Sequence, residues 1–194
     1  RDLRAQVVDD MITGDHGDIV RGLLDHFTGA DLADFTAEIA KNKARFAKLL
    51  TDEMLSTTLD YPKNLTRADL PHLAIDGSEG GLIEEIAQGF AGQSKTYQNF
   101  AADLKALNLK APSWEDYDTV TRLFLYANSA NPKSVNFPQS NHKKAVEAAE
   151  PFATDLHDWI DRVATVKSYE WALAVAAKSR ALYGFATVFV PLYE

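Results

Sequence analysis

Apolar side chains recur at steps of three and four residues along most of this chain, and this spacing constrains the fold more than any other feature. Between residues 29 and 60 the skipped positions carry Lys, Asp, Glu or Asn, as in an amphipathic helix. Thr28 and Asp31 predict the N-terminal cap of this helix. Tyr61 precedes a proline and therefore predicts its end. The apolar positions are Leu32, Phe35, Ile39, Phe46, Leu49, Leu50 and Met54.

The same spacing predicts a second long helix over residues 79–107. Gly89 and Gly92 interrupt it. Because each glycine costs about 1 kcal/mol relative to alanine in a helix interior, the pair indicates a close crossing or a kink. A third helix is predicted to start at the capping pair Ser113 and Asp116.

The C-terminal part of the chain is also predicted to be helical. An apolar stripe over residues 141–163 passes through Pro151, which should divide it into two segments because proline removes a backbone hydrogen bond. Residues 168–194 are apolar nearly all round, as in a central core helix, although FATVFVPLY near the end has strand-like content. No transmembrane segment is expected, because Lys178 and Arg180 would be unfavourable in lipid.

With two short helices at residues 2–12 and 18–28, the prediction is six or seven helices and no significant sheet. The predicted fold class is all-α, with the helices packed as a bundle or an orthogonal array. A chain of 194 residues can bury one core. Residues 1–194 are therefore expected to form a single domain.

Charge and composition exclude several classes of function. The chain has 28 acidic and 20 basic residues and a formal net charge of −8, which opposes binding to nucleic acid. It has no cysteine, which excludes disulfides, thiolate catalysis and iron–sulfur clusters and leaves the compartment open. Because the first residue is Arg rather than Met, we expect a processed or excised chain.

The stretch AIDGSEGGLIEEI, residues 74–86, most suggests chemistry, because glycine-rich turns that open helices can cradle phosphate. The carboxylates of Asp76 and Glu79 would repel a phosphate group, however. We therefore expect an ordinary helix start, with Ser78 accepting backbone N–H groups. The stretch GFAGQSKT, residues 89–96, lacks the glycine that a phosphate loop requires before its lysine, and the helix is expected to continue through it.

Metal and catalytic sites have few candidates in this sequence. The turn TGDHGD could offer Asp15, His16 and Asp18 as metal ligands, although an aspartate that caps the next helix explains the turn without metal. Neither a Glu-x-x-His pair nor a Gly-x-Ser-x-Gly elbow occurs. No cofactor is therefore expected, and the sequence favours a protein that is not an enzyme.

Two functions are compatible with these residues. The first is a non-enzymatic helical protein that contacts a protein partner or self-associates, as an assembly subunit, an adaptor or an inhibitor-like partner. Its anchors would be Tyr61 and Phe137, which precede prolines in the expected exposed segments 61–78 and 128–141. The alternative is a small-molecule-binding helical bundle, a sensor or a cofactor-dependent enzyme. Its pocket would be lined by Tyr97, Tyr126, Trp159 and Trp171.

Overall fold

A computed structural model describes residues 3–48 and 50–194, and this part of the chain has no strand. The all-α class is therefore confirmed. Leu49 and the first residue of the helix predicted over 2–12 lie outside the described residues. The ten α-helices of the described residues are α1 Leu3–Thr13, α2 Gly17–Leu24, α3 Gly29–Lys41, α4 Asp52–Leu59, α5 Leu70–Ala74, α6 Gly80–Phe90, α7 Lys95–Lys105, α8 Trp114–Phe124, α9 Lys143–Ala149 and α10 Ala153–Tyr193.

The chain divides into two compact units. We call the residues up to Lys63 together with Ala172–Glu194 the terminal unit, and Asn64–Trp171 the central unit. The long helix α10 contributes residues to both. The expectation of a single domain over residues 1–194 stays a prediction.

The core of the terminal unit joins the two ends of the chain. Apolar side chains of α1, α2 and α3 pack against those of the last turns of α10, and all of them are almost fully buried. The buried residues of this core are Val7, Val8, Met11, Val20, Leu23, Ile39, Phe185, Ala186 and Phe189.

The prediction of one helix over residues 29–60 is wrong in its length. Its start is confirmed, because Thr28 and Asp31 form a reciprocal capping box. The helix ends at Lys41, where the side-chain amide of Asn42 donates to the carbonyl of Glu38 at 3.1 Å. Thr51 then accepts the N–H of Met54 at 3.2 Å and caps α4. Local capping groups therefore end one helix and start another within a continuous apolar pattern.

The helix predicted over residues 79–107 is also broken, and the expectation that it runs through residues 89–96 is wrong. α6 ends at Phe90 and α7 begins at Lys95. The side-chain amide of Gln98 donates to the carbonyls of Ala91, at 3.3 Å, and Gln93, at 2.8 Å, and so satisfies backbone groups of the break. These two broken helices are one reason why the predicted count of six or seven helices is too low.

The break expected at Pro151 is confirmed, since α9 ends at Ala149 and α10 begins at Ala153. The helix predicted over residues 168–194 is confirmed, because α10 continues to Tyr193 through the strand-like stretch FATVFVPLY. Of the described helices, α10 alone is long and apolar enough to cross a membrane by length and composition, and 22% of its most apolar window is buried. The absence of a transmembrane segment stays a prediction.

The expectation of a long exposed segment at residues 61–78 is wrong. A 3₁₀ helix at Arg67–Asp69 and the helix α5 interrupt it. Leu70, Ala74 and Ile75 are buried, because the short helix turns its apolar side chains towards the core of the central unit.

Candidate functional site

One face of α7 opens onto a cleft of about 560 Å³ in the central unit, which we call the α7–α8 cleft. The α7 residues that line it are spaced by three or four positions, which places their side chains on one side of the helix. The last turn of α8 contributes Arg122 and Leu123 to the lining. The α7 residues are Thr96, Asn99, Phe100 and Asp103.

Residues 125–142, the cleft loop, supply the rest of the lining. The loop begins with a reversal in which Leu125 pairs with Pro132 in an isolated antiparallel bridge. The backbone N–H of Lys133 donates to the carbonyl of Phe124 at 2.8 Å. Asn128 takes the left-handed conformation, with φ of 54°, which asparagine tolerates better than most residues. These bonds bring the chain back beside the end of α8.

Further along, the cleft loop is attached to helices at two points. The carbonyl of Phe137 accepts a hydrogen bond from Nε2 of His157 on α10, at 2.9 Å. The backbone N–H of Gln139 donates to the hydroxyl of Tyr97 on α7, at 3.2 Å. The same hydroxyl lies 3.1 Å from Nδ1 of His142. The loop is therefore held by polar contacts and carries its side chains in defined positions.

Phe100 and Phe137 lie together in the lining of the cleft. Their ring centroids are 4.6 Å apart, a distance within the range of aromatic contacts. Phe100 also lies against Phe124, at 6.0 Å, and Phe137 against Tyr97, at 5.8 Å. The cleft therefore has an aromatic floor that is continuous with the core of the central unit.

Amide and hydroxyl side chains surround this floor. Asn99 and Thr96 are exposed on α7, and Asn136 and Gln139 are exposed on the cleft loop. The amide of Asn136 donates to the hydroxyl of Tyr126 at 2.8 Å. An aromatic floor with several hydrogen-bonding groups around it is typical of sites for small molecules.

Three charged side chains complete the lining. Arg122 donates to the carboxylate of Asp103 at 3.2 Å. The Lys133 amine donates to the carbonyls of Arg122, at 3.2 Å, and Leu123, at 3.3 Å, which lie in the last turn of α8. Burial lowers the pKa of the Lys133 amine, and the neighbouring Arg122 guanidinium lowers it further. The cleft thus has two cationic groups and one carboxylate.

No protein family, characterised protein or solved structure matches this chain. The chemistry of the cleft and the placement of the candidate residues are therefore the basis for a functional proposal.

The two predicted interface anchors are both turned inward. Tyr61 belongs to the terminal unit and is only 8% exposed. Phe137 is half-buried in the aromatic floor of the cleft. Their role in contacts between proteins stays a prediction.

The four predicted pocket residues are not brought together around one cavity. Tyr126 lines the α7–α8 cleft. Tyr97 is buried behind its floor. Trp159 is buried and donates its indole N–H to the carbonyl of Ala74 at 2.9 Å. Trp171 is exposed on α10.

In the stretch TGDHGD, Asp15 and His16 lie between α1 and α2, and Asp18 lies in the first turn of α2. Within residues 3–48 and 50–194, no group of three or more histidine, aspartate or glutamate side chains is placed to hold a metal ion. Asp18 forms an ion pair with Arg21 on the next turn of α2. His16 stands at the start of α2 without a capping bond from its side chain. The structure thus does not gather these three residues as a ligand set.

Within residues 74–86, the turn between α5 and α6 satisfies backbone N–H groups with its own carboxylates. Glu79, 3% exposed, accepts from the N–H groups of Asp76, at 3.1 Å, and Gly77, at 2.9 Å, and pairs with Arg162. Asp76 accepts from the hydroxyl and the N–H of Ser78, and these bonds lower its pKa. The prediction that Ser78 caps α6 is wrong, since no side chain caps that helix. The N–H groups of Asp76, Gly77 and Ser78 are therefore not available to a phosphate group.

Proposed function

We propose that this chain binds a small molecule that has both apolar and polar groups in the α7–α8 cleft. The observation that carries the proposal is the aromatic floor of Phe100 and Phe137 with amide, hydroxyl and charged side chains around it. The volume of the cleft, about 560 Å³, lies within the range of known small-molecule sites. The proposal includes the predicted packing of the helices as a bundle or an orthogonal array, because ligands often bind between the helices of such folds.

Two features favour this function over contact with a protein through Phe137. Phe137 directs its ring at Phe100 and Tyr97, so it would serve a ligand on the floor better than a partner at the surface. Hydrogen bonds also hold the cleft loop to α7 and α10, which reduces the ordering that ligand binding would require.

The test is native mass spectrometry of the purified chain, followed by thermal unfolding with a panel of small polar compounds. A bound compound should raise the melting temperature of the unaltered chain. Asn99→Ala, in the cleft, should weaken this stabilisation without changing the fold measured by circular dichroism. Gln88→Ala, an exposed amide on α6, serves as the matched control. Equal stabilisation of both variants would place the ligand elsewhere.

Contact with a protein partner or a second copy remains a second candidate, favoured by one observation. Val135 in the cleft loop is 90% exposed, which is unusual for a large apolar side chain. Size exclusion with light scattering over a wide concentration range would detect self-association. Val135→Ser should weaken any oligomer that depends on this side chain. A monomer at every concentration would exclude self-association, and this candidate function would then require a different protein as the partner.

A further inference from the structure

The charges of the α7–α8 cleft differ in sign from those of the whole chain. Asp103, Arg122 and Lys133 are the charged residues that line it, so two cations stand against one carboxylate. The formal net charge of the chain is −8. A singly charged anion would therefore find in the cleft a locally favourable potential on an otherwise acidic protein.

Both cations keep donors for such an anion. Two of the three N–H groups of the Lys133 amine donate to backbone carbonyls, and the described residues offer this amine no carboxylate within ion-pair distance. Arg122 uses one of its five N–H groups for Asp103. The two cations also disfavour each other, as the effect of Arg122 on the Lys133 pKa shows. A bound anion would relieve that repulsion.

The floor limits the rest of the ligand. The paired rings of Phe100 and Phe137 favour a flat or apolar body, which would stack on them or lie against their edges. The charges of Asp103, Arg122 and Lys133 sum to one positive unit, which the single negative charge of a carboxylate balances. The amides of Asn99 and Asn136 can bond further polar atoms of the ligand.

We propose that the α7–α8 cleft selects small carboxylates with a flat apolar body, whose carboxylate group binds Lys133 and Arg122. This inference rests on the proposed function, because it names the ligand class of the same cleft. Lys133 and Arg122 are then the residues that determine specificity.

The experiment compares carboxylates with their uncharged primary amides on the same ring: benzoate with benzamide, nicotinate with nicotinamide and 2-naphthoate with 2-naphthamide. Titrations are followed by the backbone amide signals of α7 and the cleft loop in NMR spectra of the whole chain. We expect each carboxylate to bind about tenfold more tightly than its amide, since hydrogen bonds to charged groups are the stronger ones. The difference should shrink as salt is added.

Variants separate the charge effect from damage to the fold. Lys133→Gln and Arg122→Gln should each remove most of the preference for carboxylates while amide binding is retained, and Lys133→Arg should restore it. Asp103→Asn should instead strengthen carboxylate binding by about threefold, a gain that unfolding cannot produce. Lys110→Gln, exposed and outside the cleft, should change nothing.

The outcomes distinguish failure of the ligand class from failure of the proposed function. Equal binding of carboxylate and amide, with shifts at the cleft, would overturn the ligand class and leave the proposed function standing. Failure of every pair to shift signals at the cleft would also overturn the ligand class, and the native mass spectrometry and thermal unfolding described above would then decide the proposed function. Preference for carboxylates that survives both Gln substitutions would overturn the assignment of Lys133 and Arg122.

Discussion

Gly89 shows how a single residue sets a packing distance in the central unit. A Cβ atom at this position would lie 2.6 Å from Cε1 of Phe152 and 3.0 Å from the carbonyl oxygen of Ala148. At Gly92 a Cβ atom would meet nothing within 4 Å. Of the two glycines expected to mark a crossing or a kink, Gly89 marks a close crossing and Gly92 lies in the break between helices.

We therefore expect Gly89→Ala to lower the free energy of unfolding by about 1–3 kcal/mol, because the backbone or the Phe152 ring must move. Gly92→Ala should change it by less than about 1 kcal/mol and in the stabilising direction, since alanine restricts the unfolded chain. Urea unfolding of the two variants under the same conditions measures both values. Equal losses would contradict this account of the crossing.

Arg162 neutralises the buried carboxylate of Glu79. Arg162→Met should lower the free energy of unfolding by about 3 kcal/mol, because it leaves a buried charge without its ionic partner. Lys63→Met, which breaks an exposed pair with Glu53, should lower it by less than about 1 kcal/mol. Chemical denaturation of both variants checks the difference. A similar small effect in both would mean that water screens Glu79.

Individual residues also show why the cleft was not predicted from the sequence. The sequence predicts Tyr126 as a pocket residue and Phe137 as an interface anchor, which are two different sites. No local sequence pattern identifies Lys133, Asn136 or Asn99 as lining a cleft. Polar residues are common in loops and on helix surfaces. The cleft exists only because the cleft loop returns to α7. The three- and four-residue spacing of the α7 residues that line the cleft predicts that they share one face of the helix. It does not predict that the cleft loop lies opposite this face.

At the scale of the helix, the sequence predicts capped helix starts better than it predicts helix lengths. The boxes at Thr28 and Ser113 are present as predicted. The long helices were overestimated because an apolar stripe continues across a break whenever both pieces face the same core. Thr51 caps α4 and is followed by two acidic residues, a pattern typical of a helix start. This pattern predicts the break within residues 29–60.

Two capping boxes should make stability depend on pH. Hydrogen bonds from the hydroxyl and the backbone N–H of Thr28 lower the pKa of Asp31 below its usual 3.8, and Thr66 does the same for Asp69. The folded state therefore favours the carboxylates. Their contribution is present above pH 3.8 and is lost as the pH falls through the lower pKa values of the folded chain.

We expect Asp31→Asn to flatten this loss of stability between about pH 5 and pH 2. Asp34→Asn removes an exposed aspartate of the same helix without touching the box, and its curve should keep the slope of the unaltered chain. Urea midpoints across this range provide the measurement. Parallel curves for Asp31→Asn and the unaltered chain would show that the box does not discriminate between the protonation states.

At the scale of the whole molecule, the distribution of tryptophan allows the two units to be followed separately. Trp114, Trp159 and Trp171 all belong to the central unit, whereas helices occur in both units. Since α10 is one continuous helix shared by the units, we expect fluorescence and far-ultraviolet circular dichroism to give the same urea transition. A circular dichroism transition that begins before the fluorescence change would instead show that the units unfold independently.

The core of the terminal unit has a consequence for how the chain emerges from a ribosome. Helices α1 to α3 are made first, yet their apolar faces are covered by Phe185 and Phe189, which are made after the whole central unit. At about 5–20 residues per second, the early helices wait on the order of ten seconds for these partners. During this interval the central unit can fold, whereas the apolar faces of α1 to α3 stay uncovered and open to aggregation.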